Sequence, residues 1–327
     1  MSAPLVSVVI PMYGVAATIA AAVDSVLAQT YQRLEVIAVD DGSPDDSATI
    51  CEQCSDPRLR VVRQTNRGLA GARNTGIRVS RGDYIGFLDG DDMWLPDKIA
   101  RHVEHLERSP QVGVSFSRSE LMEADGTRLG TYLNPRLTDI NVAYLLRENP
   151  VGNGSAAIVR RETLSAIAFV GDRSGEPVTE TENWYFDETF RRAEDQECWL
   201  RIALLTDWQI EGLASPLTLY RINRGGLSAN LHRQLESWEQ MVTKLRALSP
   251  ELIAPHERRA RAYILRYLAR NAIRMGSKDA AAFARKALTT DWRIAIEEPR
   301  RTSLTVLAAH AASCWSPTWW QRSPRRE

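Results

Sequence analysis

Through the first hundred residues, continuous apolar runs alternate with segments whose apolar positions recur at helical spacing. Leu5–Ile10, Leu34–Val39, Leu59–Val62 and Tyr84–Leu88 read as strands, with Ala16–Gln29, Asp45–Cys54 and Leu69–Val79 as helices between them. Runs without polar alternation suit strands buried on both faces, and the strand–helix–strand order predicts βαβ units feeding a parallel sheet. In such sheets ligands sit beyond the carboxyl ends of the strands. Tyr13, Asp40-Asp41 and Asp89–Asp92 all follow strand ends, so three segments are expected to converge on one edge.

Further along, a helix over Asp97–Glu107, a strand over Gly113–Ser117, a hairpin turned at Asp125-Gly126 and a buried strand over Gly152–Val159 extend the sheet. Residues 171–185, rich in Gly, Glu, Thr and Pro, read as a loop just before Glu194-Asp195, where a substrate loop or lid fits. From about residue 230 the pattern turns wholly helical. Helices are expected at Leu231–Leu248, Pro255–Met275 and Asp279–Leu288, the last two joined by Gly276-Ser277-Lys278 as a helical hairpin. The expected division is a catalytic domain over 1–229 and a helical region over 230–327.

Composition supports an ordinary globular chain: 327 residues, 44% hydrophobic and 25% charged. Four cysteines, Cys51, Cys54, Cys198 and Cys314, are too few for a disulfide framework, and Cys51 and Cys54 fall where helix packing explains them. No secretory signal pattern opens the chain, and the apolar stretch Leu304–Trp315 is shorter than a spanning helix needs. A cytoplasmic protein is expected. Residues 256–327 carry 15 Lys and Arg against 6 Asp and Glu, a net +9, which leaves −9 on the preceding residues because the whole chain is neutral. Arg258, Arg259, Arg261, Arg266, Arg270 and Arg274, then Trp315, Trp319 and Trp320 beside Arg322, Arg325 and Arg326, suit an anionic membrane surface on the inner face of the cytoplasmic membrane. No zinc-finger or RNA-binding signature accompanies them, so nucleic acid is not an expected partner.

Three segments carry candidate chemistry. In Asp40-Asp41-Gly42-Ser43 the glycine permits a tight turn that aims carboxylates away from the sheet, where they can accept from a base or ribose, and Ser43 can cap the next helix. Asn66 to Gly76 combines glycines that admit a close ligand with Arg67 and Arg73, able to grip phosphate oxygens, yet it is neither a Walker loop nor a dinucleotide fingerprint. Asp89-Gly90-Asp91-Asp92 crowds carboxylates at a strand end, which a hard divalent cation offsets. Mn²⁺ or Mg²⁺ with diphosphate oxygens fits better than an EF-hand calcium.

Taken in order and spacing, Val6–Tyr13, Asp40–Ser43, Asn66 with Ala72–Ile77, Gly82–Asp92 and Glu194-Asp195 resemble the family 2 inverting glycosyltransferases of the GT-A fold, over roughly residues 4–230. That resemblance implies an α/β, Rossmann-like, mostly parallel sheet flanked by helices, followed here by an all-helical extension. It implies a nucleoside diphosphate sugar donor, a UDP-sugar, and a saccharide or lipid-linked saccharide acceptor in surface polysaccharide or O-antigen assembly. By match to its motifs, Pro11, Tyr13, Asp40, Asp41, Asn66, Arg73 and Asp89 serve the nucleotide, Asp91 binds the metal with Asp89 assisting, and Asp195 is the general base.

This chain departs from the family pattern at Gly14, where Asn is usual, and at Asn223, where many relatives carry His. The Gln-x-x-Arg-Trp segment of processive synthases is not visible, which favours single addition. Two other readings stand beside transfer: a catalytically silent nucleotide-sugar binding module, and a nucleotidyltransferase that makes sugar nucleotides. The second lacks the expected glycine-rich loop after the first strand, where Pro11-Met12-Tyr13-Gly14-Val15 stands instead.

Overall fold

The structure is a computed structural model that describes residues 3–171, 182–222 and 230–314. The chain separates into two compact units, one of residues 1–141 with 149–226, the other of 142–148 with 227–327.

The first unit is built on a sheet whose strands run β3 (Leu59–Arg63), β2 (Leu34–Asp40), β1 (Val6–Met12), β4 (Tyr84–Phe87), β8 (Ala157–Arg160), β6 (Val112–Met122), β11 (Gln209–Arg221) and β5 (Met93–Trp94), with β7 (Arg128–Leu133) paired to β6. The first four are mutually parallel, as are β6 and β11, while β8 runs antiparallel to both its neighbours. Every residue of β1 and β2 is buried, which is why their sequences read as unbroken apolar runs. The polar exceptions satisfy one another. Ser7 donates to Glu35 at 2.6 Å, and Glu35 in turn accepts the Arg81 amide at 2.6 Å.

Helices α1 (Ile19–Leu27), α2 (Ser47–Glu52) and α3 (Gly68–Val79) connect the parallel strands, α4 (Lys98–Arg108) follows β5, α6 (Arg161–Ala166) follows β8 and α7 (Glu194–Leu205) precedes β11. Gly76 lets α3 close on β1: a β-carbon there would lie 2.2 Å from Val9 Cγ1. Gly71 is filled likewise by Arg67, so these glycines of the 66–76 segment admit protein and not, as their sequence suggested, a ligand. Cys51 is a free buried thiol 3.4 Å from Met12 Sδ, in keeping with helix packing.

Other expectations need correction. The strand expected over Gly152–Val159 begins only at Ala157, because Gly154–Ala156 form a 3₁₀ turn that brings Ser155 under the Asp89–Asp92 turn. The 171–185 loop is bounded by a short ribbon, β9 (Phe169–Val170) against β10 (Asn183–Trp184), and its 172–181 portion lies outside the described residues. Ser43 does not cap α2; its hydroxyl accepts the Gly14 amide and donates to Asp45, whose carboxylate takes the Ser47 amide and hydroxyl.

The second unit holds α5 (Val142–Arg147), α8 (Leu231–Leu248), α9 (Pro250–Arg274), α10 (Ala280–Thr290), α11 (Ile294–Glu297) and α12 (Pro299–Cys314) around Leu231, Tyr263, Leu265, Leu268, Phe283 and Ile294. Helix α9 starts at Pro250 and not at Pro255: Pro250 takes the first turn, and Pro255 lies inside the helix. The turn Gly276-Ser277 reverses the chain between α9 and α10, with Gly276 at φ +65° as a left-handed closing residue. Helices α5, α11 and α12 had no signal strong enough to foresee. Among the described residues no helix is long and apolar enough to cross a membrane.

Candidate active site

The carboxyl ends of β1, β2 and β4 present Pro11 to Tyr13, Asp40-Asp41 and Asp89 on one edge, as expected from the strand order. Pro11 is buried and Tyr13 is 57% exposed, a free aromatic face beside the buried strand end.

Asp41 is turned inward. Its carboxylate accepts from Gln64 Nε2 at 2.7 Å, from the Arg67 amide at 2.7 Å and from the Gly68 amide at 2.8 Å, so it anchors the first turn of α3. Burial raises its pKa against the hydrogen bonds from Gln64 and the Gly68 amide. Asp40 accepts the Ser43 amide at 2.8 Å, and Asn66 donates to the Asp41 carbonyl at 3.0 Å. These three residues therefore form one hydrogen-bonded corner.

Arg73 lies at the centre of the arrangement, 1% exposed. One guanidinium nitrogen is 2.7 Å from Asp89 Oδ1 and the other is 2.9 Å from Glu194 Oε1, with the Phe186 ring 5.5 Å away. The flanking carboxylates hold its pKa above the usual arginine value despite burial. Arg67, just before α3, and Asn74, the residue after Arg73, are spent on the other segment that α3 holds: Arg67 pairs with Glu182 and Glu188, and Asn74 accepts the Tyr185 and Phe186 amides. The arginines that looked like phosphate ligands are thus joined to carboxylates of the chain itself.

The Asp89–Asp92 turn is fastened from below. The Asp89 amide donates to Ser155 Oγ at 3.0 Å, Ser155 donates to Asp92 Oδ2 at 2.6 Å, and the Arg221 amide donates to Asp92 Oδ1 at 2.9 Å. Asp92 is buried and its pKa is raised well above the usual value by burial, with Asp91 and Asp89 adding repulsion. Lys98, also buried, donates to the Ala156 carbonyl at 2.9 Å and to Thr218 at 3.1 Å, steadying the residue after Ser155; burial lowers its pKa. Asp89 and Asp91 stay partly exposed.

Those two carboxylates are a fitting donor set for a hard divalent cation that completes its shell with diphosphate oxygens and water. Among the described residues no group of three or more His, Cys, Asp or Glu closes a cage without such help.

Asp195 opens α7. Its Oδ2 accepts from Asn149 at 3.0 Å and its Oδ1 accepts the Gln196 amide at 2.7 Å. Burial raises its pKa, with Asp89 adding repulsion against the pull of Arg73. Glu194 beside it is pushed up to about 7 by burial and by Asp195. The structure therefore gathers Asp89, Arg73, Glu194 and Asp195 in one chain of contacts. Sequence reasoning missed Asn149 and Ser155 as supports. Ser155 follows a Gly-Asn-Gly run that signals a turn, whereas Asn149 carries no such signal. Asn223 lies outside the described residues.

Comparison with known proteins defines the class of the chain. The glycosyl transferase family 2 model matches residues 7–167. The chain is 32% identical over 232 residues to the Escherichia coli UDP-Glc:alpha-D-GlcNAc-diphosphoundecaprenol beta-1,3-glucosyltransferase WfaP, covering 71% of this chain and 82% of that protein. It spans only 22 to 38% of the length of four other curated relatives it matches.

Among solved structures, S. aureus TarS 1-349 in complex with UDP-GlcNAc superposes with a TM-score of 0.60 at 15% identity, over 94% of this chain and 92% of that one. The mannosyltransferase PcManGT from Pyrobaculum calidifontis, in complex with GDP-Man and Mn2+, does so with a TM-score of 0.55 at 22% identity, over 96% and 88%. The fold is GT-A, and the chain belongs to glycosyl transferase family 2. It is a glycosyltransferase whose relatives act in cell-surface polysaccharide and lipid-linked sugar assembly.

Proposed function

We propose that this enzyme moves one sugar, with inversion at the anomeric carbon, from a UDP-sugar to a saccharide or lipid-linked saccharide acceptor at the inner face of the cytoplasmic membrane, in surface polysaccharide or O-antigen assembly. The observation that carries the reading is the bridge from Asp89 through Arg73 to the Glu194-Asp195 helix start, which sets a donor-side carboxylate and a base candidate in one rigid frame. The donor and the diphosphoundecaprenol-linked acceptor printed in the name of WfaP support the same substrate classes.

In this reading the exposed ring of Tyr13, with Pro11, faces the nucleotide base, and the corner made by Asp40, Asp41 and Asn66 shapes the pocket behind it. Asp195 accepts the proton of the acceptor hydroxyl as that oxygen attacks the anomeric carbon and the bond to the diphosphate breaks on the opposite side. Its raised pKa suits a base working nearer neutrality than an ordinary carboxylate. Asn149 and the Gln196 amide each take a lone pair and fix the carboxylate plane. Asp91, with Asp89 assisting, would hold Mn²⁺ or Mg²⁺, which when bound would supply positive charge against the diphosphate leaving group.

The test is a panel of sugar nucleotides incubated with the protein in Mn²⁺ or in chelator, following nucleoside diphosphate release. Metal-dependent release from a UDP-sugar, abolished in Asp91→Ala and Asp195→Asn, is expected. Release that is equal in chelator, or full activity in both variants, overturns the reading.

A further inference from the structure

In the second unit, α9 carries Arg266, Arg270 and Arg274 at successive four-residue steps, which places them along one side of the helix. Arg266 is satisfied, donating to Thr302 at 2.9 Å and to Glu298 at 2.7 Å. Arg270 is different. It is half-buried and has no hydrogen-bond or ion-pair partner among the described residues, while its charged neighbours are Arg274, Arg301 and Arg266, with Glu148 opposing them. Burial and this like-charge crowding lower its pKa. Arg301, from α12, is 62% exposed at its side chain, and its two carboxylate contacts are long: Glu298 at 3.5 Å, which Arg266 and Arg147 already share, and Glu148 at 3.9 Å.

Cations held together with so little opposing charge repel one another, and an anion among them offsets that cost. The surroundings say which anion. One and two turns along α12 from Arg301, Leu304 and Leu307 are each 68% exposed, and on α9 Tyr267 is 45% exposed beside Arg270. Exposed leucines and a tyrosine next to arginines that outnumber the carboxylates among them match the layered polarity of a lipid headgroup region, where arginines meet phosphates and apolar tips enter the acyl boundary.

We propose that Arg270, Arg274 and Arg301 bind the phosphates of anionic lipid headgroups, with Leu304 and Leu307 entering the membrane surface beside them. The site rests on the membrane-facing part of the function proposed above, and gives it a location.

Cosedimentation of the full chain with phosphatidylcholine vesicles, with and without phosphatidylglycerol, tests it. Wild type is expected to pellet only with the anionic vesicles. The double variant Arg270→Gln/Arg274→Gln should bind them roughly 25-fold more weakly, about fivefold per arginine, while Arg285→Gln/Lys286→Gln, which removes the same charge from α10, binds as wild type. Without lipid, the first double variant should melt no lower than wild type, because it relieves repulsion. Arg274→Gln alone, at an exposed position, serves if the double variant does not fold.

Equal losses in the two double variants overturn the site, as does binding to neutral vesicles alone or self-association in place of vesicle binding. Inorganic pyrophosphate raising the melting temperature of wild type but not of the first double variant, without vesicle binding, assigns the arginines to a soluble oxyanion and also overturns it. Nucleoside diphosphate release, measured in the same preparations, keeps the outcomes separate. Its absence removes the transfer reading, whereas release without vesicle binding removes only this site.

Discussion

The guanidinium of Arg73 lies 2.9 Å from the Glu194 carboxylate while its other nitrogen holds Asp89, so α3 ties the end of β4 to the start of α7. Lysine, with a single point charge, cannot span two carboxylates in this way. Arg73→Lys is expected to fold yet to lose most sugar transfer. Arg73→Ala leaves Asp89 and Glu194 without their shared donor and is expected to cost about 1 to 3 kcal/mol of stability, read from urea unfolding, with Glu194 taking up a proton in place of the lost cation. Wild-type stability in Arg73→Ala would show the bridge to be idle.

Because Asp195 must be ionised to accept a proton, its raised pKa moves the acid limb of the rate profile upward from the ordinary carboxylate range. Replacing Asn149, which donates to the charged form, should move that limb higher still. A limb that stays put in Asn149→Ala, measured on kcat across pH 4 to 8 with steps of about half a unit, separates Asp195 from the role of base.

Glu194 titrates at about 7 in the folded protein, above its unfolded value, so the neutral form is the one folding favours. Its contribution to stability is present below about pH 4.3 and is lost as pH rises through 7. Glu194→Gln is expected to flatten this decline. Urea midpoints for wild type and variant at pH 5 and pH 8 check it, and parallel declines would refute it.

Ser155 receives the Asp89 amide and gives its proton to Asp92. Ser155→Ala leaves both without that partner, at a cost of about 1 to 3 kcal/mol. The loosened turn should weaken nucleotide binding in Mn²⁺ more than in chelator, by titration calorimetry. Equal weakening in both would place the effect elsewhere.

At Gly76 an added β-carbon has no room beside Val9. Gly76→Ala is expected to lower stability by about 1 to 3 kcal/mol, and Val9→Ala in the same chain to recover part of that loss. A Gly76→Ala protein that melts with wild type would show that α3 can back away from β1.

What sequence could tell follows from how local each cause is. The buried strands β1 and β2 announced themselves because burial on both faces leaves no polar alternation, and the Asp89–Asp92 turn did so by crowding charge after such a strand. The destination of Arg73 was hidden, since its partners lie 16 and 121 residues away. So were the packing duties of Gly71 and Gly76, which look in sequence like ligand-contact glycines, whereas the 3₁₀ turn at Ser155 was signalled by Gly152-Asn153-Gly154 and masked only by the apolar Ala156–Val159 that follow it.

The excursion of residues 142–148 into the second unit has a consequence for how the protein can be made and cut. Leu145 and Leu146 of α5 are buried, the Leu146 carbonyl accepts from Trp238 at 3.1 Å, and Arg147 stacks 3.7 Å over the Tyr263 ring. During synthesis α5 leaves the ribosome about a hundred residues ahead of the helix that shelters it, and must wait uncovered. A truncation that stops before α8 strands those leucines for good, which makes the helical region a requirement for solubility and not an appendage.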